Sequence, residues 1–212
     1  RLVLDTRGGI AKSLQLKHFK HTKPRLTLST WFPILTSFIG PDYSNEVTEN
    51  NRVQMLGNHL AEVPAFSQDF KNAPEITALF RNAVFASSAD EVVLDEGEDI
   101  FSLTLTSPII KGLQLIKFFE VSQDSYILNY RVQLINRSNE SQAVEVLYFF
   151  GEQRLSDSDG GMQQVSHEGP VFYFDESLQT ETTEDIEGEL PVTQMKWLGV
   201  EDQYFISAAV PM

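Results

Sequence analysis

Along residues 125–135, SYILNYRVQLI, apolar and aromatic side chains recur at every second position: Tyr126, Leu128, Tyr130, Val132 and Leu134 fall on one face, Asn129, Arg131 and Gln133 on the other. That period of two predicts a half-buried strand over 125–135. FSLTLT (101–106), LTLSTWF (26–32) and QAVEVLYFF (142–150) repeat the theme. Turn chemistry separates these runs: Arg7-Gly8-Gly9 between LVLDT and IAKSLQL, Asn136-Arg137-Ser138-Asn139 after Ile135, and Asp157-Ser158-Asp159-Gly160-Gly161. Gly-Gly supplies the positive φ that a tight hairpin needs. Strands joined by hairpins, each with one wet face, predict an all-β sandwich of antiparallel sheets. PEITALFRNAV (74–84) departs from the period, spacing Ile76, Leu79, Phe80 and Ala83 at helical intervals behind a proline suited to a first turn. It predicts a short helix, in a fold with at most one or two. The polar, Gly-, Pro- or acid-rich stretches 40–75, 151–169 and 176–191 are expected to be loops.

With 212 residues and 42% hydrophobic content the chain can bury a core, and we expect a single domain over 1–212. No window approaches the roughly 18 to 20 apolar residues that span a bilayer, the richest local run being VLYFF at 146–150. The chain opens on RLVLDT, without an initiator Met or a signal-peptide pattern, and closes on the uncharged run FISAAVPM, which reads as a strand cut short. Both ends are therefore expected to be boundaries within a longer protein.

The absence of cysteine excludes disulfides and thiolate chemistry. A net charge of −14 argues against a nucleic-acid partner, whose footprint would be basic. Positive charge gathers only at the start, where residues 1–25 hold seven Lys/Arg against Asp5 alone. Within that segment, KHFKHTKPR brings His18 and His21 three residues apart, but four neighbouring cations (Lys17, Lys20, Lys23, Arg25) oppose a metal ion there. The segment reads first as an exposed basic loop, with contact with anionic lipid head groups as the alternative.

DSDGGMQQVSHE (157–168) places Asp157, Asp159 and Glu168 as an EF-hand loop would. It carries Met162 where the sharp turn demands Gly, and Gly161 where a ligand belongs. His59 and His167 sit in polar stretches and read as ordinary loop residues. GxSxG, HExxH and phosphate-loop motifs are absent. Asn136-Arg137-Ser138 and Asn139-Glu140-Ser141 match glycosylation acceptors but read as turn residues. No catalytic, cofactor-binding or metal-ligating residue is assigned, no cofactor is expected, and the chain is not expected to be an enzyme.

Three segments carry a resemblance. LDTRGGIAKSLQL opens the chain. IIKGLQLIKFFEVSQDSYILNYRVQLINRS (109–138) holds Lys117-Phe118-Phe119, Tyr126 and Asn136. WLGVEDQYFISAAVPM (197–212) holds Trp197, Gly199, Tyr204, Phe205 and Pro211. In this order they resemble the large periplasmic domain of the YidC-type bacterial membrane protein insertases (YidC/Oxa/Alb family). Residues 40–75 carry none of these motifs. The resemblance implies a β-super-sandwich of the galactose mutarotase-like kind, placed in the periplasm at the bacterial inner membrane, between transmembrane segments outside this chain. It also implies an accessory, chaperone-like role in contact with the Sec translocon's accessory subunits and client membrane proteins. The family's membrane-embedded groove has no counterpart here. The alternative is a carbohydrate-binding or mutarotase-like domain, because the same fold hosts sugar chemistry and Trp31 and Trp197 can stack on a sugar.

Overall fold

The computed structural model describes residues 1–20, 52–56, 64–91, 100–123, 125–149, 169–180, 195–201 and 205–211. The Arg7-Gly8-Gly9 turn is built as its sequence predicts. Gly8 (φ 73°) and Gly9 (φ 58°) take the left-handed conformation and join β1 (Leu2–Asp5) to β2 (Ile10–Lys20), with Asp5 opposite Ile10. Asp5 braces the turn by accepting the Arg7 backbone N–H at 2.8 Å and pairing with Lys12 at 2.9 Å. The hydrogen bond from Lys12, then that from Arg7, draws its carboxyl below the ordinary value. β3 (Arg52–Leu56) adds to the other edge of β2.

Next come β4 (Gln68–Phe70) and α1 (Pro74–Asn82). The expectation that 40–75 is loop is thereby corrected: β3 and β4 lie inside it, and Ala65, Phe66, Ser67, Gln68 and Phe70 are all buried. Polar residues had masked the segment, because Ser67 and Gln68 are interior side chains. α1 forms where the helical spacing placed it. Pro74 fills its first turn, Ile76 and Phe80 are buried one turn apart, and Phe80 stacks on Phe70 with ring centroids 5.3 Å apart. Leu79, expected on the buried face, is 45% exposed. The helix stops at Asn82 because Ala83 turns to extended backbone.

The longest sheet runs β5 (Ala86–Ser87), β6 (Ile100–Thr106), β7 (Leu113–Ser122), β8 (Leu128–Asn136), antiparallel throughout. Lys111 and Gly112, both at positive φ, make the two-residue turn into β7. Leu113, Leu115, Lys117 and Phe119 of β7 are buried, and the residues between them are half-buried. β8 begins three residues later than the period suggested. Tyr126 and Ile127 are 73% and 70% exposed and lie in the irregular segment that precedes it. The Asn136 turn is built by side chains: Ser138 donates from backbone and hydroxyl to Asn136 Oδ1, whose amide donates to Glu140 O at 2.7 Å. β9 (Val146–Tyr148) is shorter than the predicted 142–150 and pairs with β4.

A further sheet has the order β11-β10-β12-β13, from β10 (Gly169–Phe174), β11 (Ser177–Thr180), β12 (Met195–Glu201) and β13 (Ile206–Ala209). β11 lies within 176–191, expected to be loop. The β10–β11 hairpin turns on Asp175 and Glu176 at positive φ, without the Gly or Asn that marks such turns. Antiparallel sheets and, among the described residues, one helix make this an all-β sandwich. Its main core gathers Ala11 from β2, Phe66 and Phe70, Ile76 and Phe80 from α1, Phe85, Leu105 from β6 and the buried face of β7.

Candidate functional site

The most unusual group in that core is a charge. Lys117 shares the buried face of β7 with Leu113, Leu115 and Phe119 and is 1% exposed. Its ammonium donates three hydrogen bonds to main-chain carbonyls, Gly8 at 2.9 Å, Gly9 at 2.8 Å and Phe66 at 2.9 Å, and lies 5.2 Å from the centre of the Phe85 ring. Three protons meet three acceptors. Burial pushes the amine down to about 7, because a low-dielectric interior penalises the cation. The three carbonyls oppose that shift by favouring the charged form.

Both glycines of the turn sit where a side chain would be crowded. A Cβ on Gly9 would lie 3.2 Å from the Phe85 ring and 3.3 Å from Lys117 Cδ, and one on Gly8 would lie 2.9 Å from the Arg81 carbonyl oxygen. Phe66 holds its carbonyl in place from positive φ (62°), and that oxygen also accepts from Gln68 Nε2 at 2.8 Å and Tyr130 Oη at 3.3 Å. Tyr130 rests against Phe66 and Phe119 with ring centroids 4.6 and 4.9 Å apart, and burial pushes its phenol well up. The arrangement ties the hairpin turn, residues 64–68 and β7 into one knot. Its hydrogen bonds position main chain.

Lys117 was not singled out as a buried group from sequence, although the signal was there. In LQLIKFFEVS it occupies the same alternate face as Leu113, Leu115 and Phe119. A lysine in phase with a core face is a buried-cation signal.

Two surfaces stand apart from the knot. β13 is an edge strand with no partner on its outer side among the described residues, and Ile206 (49% exposed) and Val210 (66%) flank it without a charge between them. Gly199 of β12 lets β13 approach closely, since a Cβ there would lie 2.6 Å from the Ser207 carbonyl oxygen. Elsewhere Phe19, Tyr126 and Phe205 form an aromatic group, with centroids 6.2 and 5.3 Å from Phe19.

Of the histidines and tryptophans weighed from sequence, the structure describes His18 and Trp197. His18 lies in β2, while His21, His59, His167, Trp31 and the 157–168 loop lie outside the described residues, as does most of the basic segment KHFKHTKPR. Trp197 is half-buried in β12 opposite Tyr173 of β10. Among the described residues no three His, Asp or Glu side chains cluster as a cation site, and no helix is long and apolar enough to cross a membrane.

Comparison with known proteins adds what geometry alone does not. The family model of the YidC periplasmic domain matches residues 35–212. The chain belongs to that family. The match runs through residues 40–75, which carry none of the motifs quoted above, whereas the Thr6–Gly9 turn lies ahead of it. Among curated proteins the chain is 26% identical over 133 residues to a membrane protein insertase YidC of Aromatoleum aromaticum, covering 60% of this chain and 24% of that protein. It is 21% identical over 172 residues to the one from Ruthia magnifica (80% of this chain, 31% of that protein), and 25% identical over 173 residues to the one from Actinobacillus succinogenes (80% and 32%). The chain thus spans between about a quarter and a third of the length of these relatives.

Proposed function

We propose that residues 1–212 act as one periplasmic domain of a bacterial membrane protein insertase, an accessory module that works by contact rather than catalysis. The observation that carries this reading is the family match over residues 35–212. The relatives bear the name membrane protein insertase, and the chain corresponds to a minority of their length, so insertion itself is assigned to the remainder.

The geometry supports contact in two ways. The most elaborate polar cluster, at Lys117, is spent on holding backbone together. The uncharged outer edge of β13 offers main-chain groups that accept an added strand with little demand on side-chain identity. The proposed partners are the periplasmic parts of the Sec translocon's accessory subunits and extended segments of client proteins, met on the periplasmic side of the inner membrane. The test is direct binding: purified domain titrated with the purified periplasmic part of an accessory subunit should give saturable binding, and none up to millimolar concentration would overturn the reading.

A further inference from the structure

β8 is the outermost strand of the longest sheet, and its far edge meets no other strand among the described residues. It is nine residues long, stays in unbroken register with β7, and has neither the proline nor the bulge that blunts many natural edges. Its hydrogen-bonding phase follows from β7. Leu113 exchanges main-chain bonds with Ile110, and Leu115 accepts from the Ser107 N–H at 2.9 Å, so the odd-numbered residues of β7 turn their main chain away from β8. The even-numbered residues turn towards it, as Gly112 does just before β7 by accepting from the Arg137 N–H at 2.6 Å, and they lie opposite Asn129, Arg131, Gln133 and Ile135. Leu128, Tyr130, Val132 and Leu134 therefore point their N–H and C=O groups outward.

Side chains give this edge a preference. On the core face, Leu128, Val132 and Leu134 pack against the core yet stay half-buried, because β8 is the last strand. On the other face Arg131 is the only charged residue of the strand. Its guanidinium lies over the Phe118 ring, 4.3 Å from the centroid, and its side chain has no hydrogen bond or ion pair among the described residues. Stacking holds the planar fork while its N–H edge stays open to a carboxylate. Asn129 differs, since its amide donates to Glu120 Oε1 at 3.0 Å and a second carboxylate beside it would meet Glu120.

An added strand would bond to the even-numbered residues of β8 and face Arg131 in a non-hydrogen-bonded pair, where side chains stand closest. A second copy of this chain fits poorly there: β8 holds an arginine and no acid, so pairing it with itself leaves both arginines without a carboxylate. The chain's net charge of −14 repels an acidic run, which favours a partner with one acid among neutral residues. We propose that the outer edge of β8 receives an extended polypeptide by antiparallel strand addition, with alternate apolar residues over Leu128, Val132 and Leu134 and one aspartate or glutamate opposite Arg131. The orientation continues a sheet that is antiparallel throughout. This site is separate from the β13 edge and does not depend on the docking assigned there.

The test is an amide NMR titration and hydrogen-exchange measurement of the domain with capped peptides that alternate valine with threonine and carry glutamate, glutamine or lysine at one central threonine position. The glutamate peptide should shift the Leu128, Tyr130, Val132 and Leu134 amide signals saturably below millimolar concentration and protect them from exchange, with the glutamine peptide about fivefold weaker and the lysine peptide weaker still. R131E should reverse the order of the glutamate and lysine peptides. Should R131E disturb the β6–β7 signals, R131Q carries the test, binding the glutamate and glutamine peptides equally. Equal binding of all three peptides to the unaltered domain, shifts confined to β13, or no protection of β8 up to millimolar peptide overturns the proposal. Protection of β8 that grows with protein concentration in the absence of peptide overturns it as well and gives the edge to a second copy.

Discussion

Lys117 Nζ lies 2.8 Å from the carbonyl oxygen of Gly9, a contact between residues 108 apart in the chain. It joins the turn of the N-terminal hairpin to the middle of the longest sheet. The ammonium is the hub of that junction, since Gly8 O and Phe66 O are bonded to the same nitrogen.

Truncating the hub should separate packing from polarity. K117A removes the stem and the ammonium and leaves buried carbonyls without a donor, and should cost about 3–5 kcal/mol of unfolding free energy. K117M keeps most of the packed stem and removes the desolvated charge, and should cost less, about 1–3 kcal/mol. Urea titration of both variants measures the order; a Met variant as damaged as the Ala variant would contradict it.

The same lysine predicts a pH dependence. Burial lowers the folded amine to about 7 from an ordinary 10.5, so between those values the unfolded chain holds a proton that the folded chain has released. Stability relative to K117M should therefore rise with pH from about 7 towards 10.5, by up to about 1.4 kcal/mol per pH unit, and be flat below 7. The stronger the pull of the three carbonyls on the charged form, the later the rise begins. Unfolding of both proteins at a series of pH values checks this, and a relative stability that falls with pH contradicts it.

The two turn glycines should differ. Both occupy the left-handed region, which costs an alanine about 1–2 kcal/mol. On Gly8 the added carbon meets main chain, Arg81 O at 2.9 Å, whereas on Gly9 it meets the Phe85 and Lys117 side chains at 3.2 to 3.4 Å, which can yield. G8A should be the more destabilised of the pair in thermal or urea unfolding.

Much of the fold was legible because its signals are local. The Gly8-Gly9 hairpin, α1 behind Pro74 and the alternation along β6 and β8 each follow from residue spacing, whereas β7 was not read as a strand from sequence although its buried positions alternate. The rest depends on contacts that local pattern does not carry. Residues 65–70 read as loop because Ser67 and Gln68 look exposed until β9 and Tyr130 are seen to cover them. The β10–β11 turn was missed because Asp175 and Glu176 adopt positive φ without a glycine. Lys117 was visible as a lysine out of place, but its three acceptors come from positions 8, 9 and 66 and only the tertiary fold assembles them.

At the sheet edge, I206K and V210K place charges beside exposed main-chain groups of β13. Because both residues are exposed, stability should change by no more than about 0.5 kcal/mol, while binding to the accessory-subunit domain should fall several-fold. Unchanged binding would move the contact to another surface.

Docking without insertion is the proposed role of this domain. In the full-length protein that carries the domain, residues 35–212 are replaced by a flexible linker, and client insertion is measured alongside co-purification of the Sec accessory subunits. Insertion should be largely retained and co-purification reduced. Loss of insertion with the shortened protein stably present in the membrane would contradict it.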